Sequence, residues 1–294
     1  MANLKELRGR IKSVASIAQI TRAMEMVASM KMRKVQGKAQ AFHPYTDEIR
    51  HMIERIAGRV ESSAELPLFQ SREVKTTGIF LLTSDRGLCG SYNSNILLEL
   101  RRMIEAIKAE HPERKLKFYV YGRKGYTWLT RRGYDVERFF VEPVLDKATF
   151  DSAKLVGKAL VDAWTGGVVD EVRIFYSRFA SMIKFVPTAL PFLPVSTMAV
   201  GDDAKKGHQG DYLLEPDATT VLNQLLPRYL ETVVFDSMLQ ALASEHSSRR
   251  MAMKSATDAA VRMNKQLKKV YNRARQENIT KELLDIVGGA SAVS

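Results

Sequence analysis

Residues Met253, Ala256, Ala260, Met263, Leu267, Val270 and Ala274 recur in alternating steps of three and four. That spacing lines side chains along the seam of a paired helix. A similar stripe opens the chain, through Leu4, Leu7, Ile11, Val14, Ile17, Ile20, Met24 and Val27. The first proline is Pro44, and only Gly9 and Gly37 precede it. Residues 1–60 therefore read as one helix of about 80 Å at 1.5 Å per residue. His43-Pro44 is the place where it can kink. Toward the other end, Pro216 suits a first helical turn, and a helix over 217–287 would run about 105 Å. A domain of ~130 residues is only about 30 Å across and cannot cover stripes of that length. The two terminal helices must cover each other, and the small or flexible Ala and Met of the second seam permit a close approach. Gly288-Gly289 is expected to end the second helix as a C-cap, and Pro227 is expected to kink it.

Between the helices the pattern changes. GIFLLTS (78–84), KFYVYG (117–122) and EVRIFYS (171–177) are short β-branched and aromatic runs. Helical patterns at 94–110, 123–133 and 150–166 alternate with them, which predicts a largely parallel sheet. FVPTALPFLPV (185–195) carries three prolines and can only be an edge strand. The expected fold is α/β with long helices: an antiparallel coiled coil of the N- and C-terminal helices, with a Rossmann-like α/β domain inserted at one end. The segments are 1–60, 73–200 and 213–294, with a polar loop, VGDDAKKGHQGD (200–211), leading out of the domain.

Charge narrows the partner. The chain carries a formal +12. Residues 1–38 hold nine Lys or Arg against Glu6 and Glu25, and residues 245–275 hold nine against Glu245 and Asp258, so each stretch is +7. Two like-charged helices that pair must repel, and an acidic surface around them would offset the repulsion. That surface can be an acidic protein collar, duplex nucleic acid or an anionic membrane. Base stacking on single strands is disfavoured, because Tyr271 is the sole aromatic within 245–275.

Chemistry is sparse. LTSDRGLCGSYNSN (82–95) lies between a strand and a helix but makes neither a Walker loop nor a dinucleotide fingerprint, so it reads as a turn capping the next helix. Cys89 is the only cysteine, which rules out an internal disulfide and fits a reducing compartment. Neither Cys89 nor the five histidines (His43, His51, His111, His208, His246) fall in a catalytic or metal-ligand pattern. No catalytic residue, cofactor or metal is assigned. The methionines (Met24, Met26, Met30, Met32, Met251, Met253) read either as core packing or as a deformable surface that meets several partners. No run approaches the ~20 apolar residues needed to span a bilayer, and the N-terminus does not read as a secretory signal.

ITRAMEMVASMKMRK (20–34), LTSDRGLCGSYN (82–93), DYLLEPD (211–217) and ITKELLDIVGGAS (279–291) resemble the gamma-subunit family of F-type, proton-transporting ATP synthases. The resemblance implies a non-catalytic central rotor shaft that couples c-ring rotation to conformational cycling of the beta catalytic sites and regulates ATPase activity and proton flow. The implied partners are the alpha, beta and epsilon subunits and the c-subunit ring, with membrane association through the complex and no nucleic acid. By position, Met24, Lys31, Arg33, Lys34, Cys89, Arg249 and Arg250 would meet beta. Tyr212 and Glu215 would meet the c ring, and Leu283, Leu284, Ile286 and Val287 would turn as a bearing in the head. A basic adaptor for nucleic acid or anionic membrane is the alternative. The start at Met1 without a transit segment leads us to expect the cytoplasmic face of a bacterial inner membrane.

Overall fold

A computed structural model describes residues 4–57, 67–195 and 214–293. In it the chain forms two compact units, one of Met1–Ser29 with Arg249–Ser294 and one of Met30–Ser248. Helix α1 (Leu4–Ala57) and helix α5 (Ala218–Val293) each contribute to both.

The larger unit is built on a five-stranded sheet: β1 (Thr76–Leu82), β2 (Lys115–Tyr121), β3 (Val136–Phe140), β4 (Glu171–Phe179) and β5 (Phe185–Leu193), in the order β3-β2-β1-β4-β5. The first four are mutually parallel and β5 returns antiparallel to β4 at the edge, where its prolines are tolerated. Three helices connect them: α2 (Tyr92–Glu110), α3 (Arg123–Thr130) and α4 (Phe150–Thr165). The period of two in β1 decides the layers. Ile79 and Leu81 point to a core shared with Ile96, Leu100 and Ile104 of α2 and Leu129 of α3. Phe80 and Leu82 point to the other face, against α4, residues 222–243 of α5 and Val35, Ile49, Ile53 and Ile56 of α1.

β3 was not foreseen from the sequence. It is short, with Glu137 and Arg138 exposed, so it lacks the apolar run that marks the inner strands. One expected helix end is absent, and neither internal proline interrupts its helix. Helix α5 is continuous through Pro227, which is exposed alongside Asn223 and Gln224, so the carbonyl left without a donor lies on the solvent side. It also continues past Gly288-Gly289 to Val293, because glycine costs a helix only about 1 kcal/mol and does not by itself stop one. Helix α1 runs through Pro44, where Phe42 packs edge-on against Phe235 at 4.9 Å and tilted against Phe150 at 5.8 Å. Asp217 starts α5, its Oδ1 accepting from the Thr220 N–H at 2.8 Å.

In the smaller unit the two helices run antiparallel: Asn264 Nδ2 donates to the Ile11 carbonyl at 3.0 Å, and Thr257 Oγ1 to Thr21 Oγ1 at 2.7 Å. The covered seam keeps much of the one that apolar spacing predicts, including Ala256 on α5, and departs from it at particular positions. On α1 it runs through Leu4, Leu7, Ile11, Val14, Ala18, Thr21 and Ala28, while Ile17, Ile20 and Val27 are exposed. On α5 it runs through Met253, Thr257, Ala260, Asn264, Leu267, Tyr271 and Ala274, leaving Met263 and Val270 exposed. Small residues (Ala18, Ala28, Ala260, Ala274) and three bonded polar ones (Thr21, Thr257, Asn264) share the contact with Leu7, Ile11, Val14 and Leu267, and Ile17, Ile20, Val27, Met263 and Val270 are left outside.

Candidate functional site

The smaller unit presents apolar surface where a solitary pair of helices would be polar. Ile17 is 50% and Ile20 59% exposed, Val27 46%, and Met24 is half-buried; the four recur in steps of three and four along one outer face of α1. Beside them Lys12 and Arg22 on α1, with Lys254, Arg262, Lys265, Lys268 and Lys269 on α5, are exposed. Arg249 and Arg250 are half-buried. Extending the register of Asn264 with Ile11 puts Leu4 opposite Tyr271, so α1 has no residues to set against α5 from Lys281 onward. The overhang explains why Leu283, Leu284, Ile286 and Val287 are 58–67% exposed. The apolar end of α5 is not covered by α1.

In the larger unit two of the candidate residues, Cys89 and Lys31, stand at one edge of the sheet. Because β1, β3 and β4 are parallel, the loops that follow them all emerge at their C-terminal ends. In α/β folds this edge usually receives ligands, but here the protein's own groups fill it. Asp85 Oδ1 accepts from the Arg123 N–H at 3.0 Å and Oδ2 from the Leu145 N–H at 3.3 Å. A Cβ on Gly122, whose φ is +111°, would fall 2.1 Å from the Thr83 carbonyl oxygen. The N-terminus of α3, where an anion would sit, is thus closed by a carboxylate.

Three turns from this edge lean on a single turn of α5. Ser248 Oγ donates to the Cys89 carbonyl at 2.7 Å and Ser247 Oγ to the Met182 carbonyl at 2.8 Å, while His246 Nε2 meets Asp146 Oδ1 at 3.0 Å. One turn earlier, Ser244 Oγ donates to the Ser177 carbonyl at 2.8 Å. Asp146 is shared, because its Oδ2 also accepts from Lys31 Nζ of α1. The hydrogen bond from His246, then that from Lys31, holds the Asp146 carboxyl well below the usual carboxylate range, against the opposing pull of partial burial. One carboxylate thereby ties α1, α5 and the turn Leu145–Lys147 together.

Among the expected contact residues, Arg33 and Lys34 are exposed, and Lys31 is half-exposed and engaged with Asp146. Cys89 is 2% exposed, its sulfur within 3.2 Å of Asn93 Nδ2, so its side chain offers no outward surface. The adjacent Leu88 does: it is 64% exposed and holds the left-handed conformation at φ +62°, rare for a non-glycine residue. Sequence spacing gave no sign of Leu88, Met182, Ile183, Asp146 or His246, since their grouping depends on which loops the topology brings to one edge. Glu215 is exposed, and Tyr212 lies outside the described residues. Among the described residues no cluster of His, Cys, Asp or Glu could hold a metal ion, and no helix is long and apolar enough to cross a membrane.

Comparison with known proteins gives a consistent picture. A family model described as ATP synthase matches residues 3–293. The chain is 38% identical over 296 residues to the ATP synthase gamma chain of Staphylococcus haemolyticus (strain JCSC1435), and 37% identical to that of Staphylococcus aureus (strain JH9), with 100% of both chains covered in each case. Among solved structures, it is similar to a chain of the Euglena gracilis mitochondrial ATP synthase in rotational state 3, with a TM-score of 0.65 at 16% identity, covering 99% of this chain and 94% of that one. A chain from the central stalk and c-ring of the Tetrahymena thermophila enzyme gives a TM-score of 0.59 at 24% identity, covering 81% and 99%. At such identities the structures share a fold with this chain.

Proposed function

The chain belongs to the ATP synthase gamma chain family, and from that premise we propose that it is the central rotor shaft of an F-type ATP synthase, a subunit that carries force and performs no chemistry itself. One observation carries the reading. The paired helices are strongly basic, apolar on an outer face, and end in an overhang whose Leu283, Leu284, Ile286 and Val287 are uncovered. A surface of this kind calls for a partner that encloses it.

In this reading an alpha–beta head receives the paired helices. Met24, with the outer stripe around it, and Arg249 and Arg250 meet the beta subunits; Arg33 and Lys34 do so nearer the α/β domain. The overhang turns in the head as a bearing, since apolar contacts are non-directional and break no bonds when they slide. The Cys89 loop meets beta through Leu88. Lys31 acts first on Asp146 and so secures the base of the helices. Tyr212 and Glu215 belong to the side that rests on the c ring, with epsilon beside it. Coupling needs a different interaction free energy with each state of the catalytic sites, and an off-axis apolar stripe on one helix supplies that asymmetry. The complex is membrane-associated through its ring, at the cytoplasmic face of a bacterial plasma membrane.

Purified chain mixed with alpha and beta subunits tests this. Co-elution in one complex, with ATP hydrolysis that depends on adding the chain, is the expected result. No co-elution, or hydrolysis indifferent to the chain, would refute it.

A further inference from the structure

The β4–β5 hairpin turns through Ser181, Met182, Ile183 and Lys184, closed by the Lys184 N–H donating to Ser181 Oγ at 3.1 Å. Such tips usually carry Gly, Asn, Asp or Ser. Here Met182 is 51% and Ile183 76% exposed, the latter the highest value for a large apolar side chain among the described residues. A lone exposed apolar residue needs no explanation, but this pair has a neighbour. The hairpin leaves the sheet at the same edge as the loop that carries Leu88, because β4 is parallel to β1. Consecutive residues of α5 hold the two loops, Ser247 on the Met182 carbonyl and Ser248 on the Cys89 carbonyl. Leu88 precedes one anchored residue and Ile183 follows the other.

These anchors fix the backbone while the side chains project, so little order remains to be imposed on binding. The surroundings are cationic: Arg86, Arg178 and Lys184 are exposed. Of the acids of the adjoining loops, Asp85 is turned onto the Arg123 and Leu145 amides and Asp146 onto Lys31 and His246, while Glu142 is exposed in the same loop as the exposed Lys147. Complementary chemistry is a protein surface with an apolar centre and a carboxylate rim. The pad occupies the edge at which Lys31 of α1 and Ser248 of α5 stand, the turn with which α1 enters this unit and the turn with which α5 leaves it.

We infer that Met182 and Ile183 join Leu88 in one composite pad that docks on the underside of the alpha–beta head, a contact that rests on the rotor reading. The hairpin is a second point of contact that no sequence motif marks, and its flexible methionine suits a surface that changes partner residues as it moves.

The test uses the full chain with Cys89→Ser and Ile183→Cys, so that position 183 carries the sole thiol, and a companion with Glu105→Cys on α2 as an exposed control. Each is assembled with alpha and beta, and maleimide labelling is timed in the free chain and in the complex. The expected result is at least about tenfold slower labelling at 183 in the complex, an unchanged rate at 105, and a bifunctional reagent joining 183 to alpha or beta. Equal rates at 183 in an assembled complex would overturn the pad and leave the rotor reading intact. Protection that appears only on adding a further subunit would assign the tip to that subunit and also overturn it. A chain that fails to co-elute removes both.

Discussion

Asp146 shows how much one side chain can organise. It joins a lysine 115 residues away in sequence and a histidine 100 residues away, and His246 is only 2% exposed. Replacing it by Asn leaves a buried donor with a weaker acceptor and Lys31 without its carboxylate. Asp146→Asn should therefore destabilise the chain by about 1–2 kcal/mol at pH 7, with the Lys31 share kept small by solvent screening. The sign of the pH dependence follows from the lowered carboxyl pKa. The contribution is present above the ordinary carboxylate value near 4 and fades as pH falls toward the folded-state value. Urea unfolding at pH 7 and pH 3 should find the two proteins converging in acid, and an undiminished gap at pH 3 would contradict the assignment. Met24 offers a functional counterpart. It is half-buried on the outer face, so Met24→Lys should leave the unfolding midpoint of the free chain within about 0.5 kcal/mol of wild type. Proton pumping per ATP hydrolysed in the assembled enzyme should fall severalfold. Normal coupling would remove Met24 from the contact.

Among the elements, the helix pair gives the sharpest contrast between reading a pattern and seeing a contact. Apolar spacing selects Met263 and Ile17; the structure covers Asn264 and Ala18 instead. Asn264→Ala should accordingly cost about 1 kcal/mol through its lost bond to the Ile11 carbonyl, whereas Met263→Ser should change stability by less than about 0.5 kcal/mol. Hydrogen exchange at the amides of residues 257–267 can rank them, and the reverse order would restore the apolar seam. Long terminal helices, alternating strands and helices between them, and a proline-bearing edge strand were all legible, because each rests on local periodicity. The phase of the seam was not legible, since it depends on side-chain size and on polar groups that pair only across helices. How α5 accommodates Pro227 was not legible for a similar reason: a proline's cost depends on whether the freed carbonyl meets water, and the sequence does not state that. Cys89 itself is buried, and its neighbour Leu88 is the residue of that loop that points outward.

For the molecule as a whole, the uncovered apolar end of α5 is the feature that folding of the chain alone does not account for. It extends beyond the register of its partner helix, so Leu284→Ser with Ile286→Ser should leave the free chain's thermal midpoint unchanged while lowering the temperature at which the assembled complex loses activity. A fall in the free chain's own midpoint would mean that the tip packs internally. A rotor shaft turns inside its partners. A fluorophore on Glu105→Cys of α2, in the Cys89→Ser chain assembled with surface-fixed alpha and beta, can be followed in single complexes while MgATP is hydrolysed. Continuous one-way rotation that stops when ATP is exhausted is the expected result; complexes that hydrolyse ATP while the probe keeps a fixed orientation would show that the chain is not a rotor.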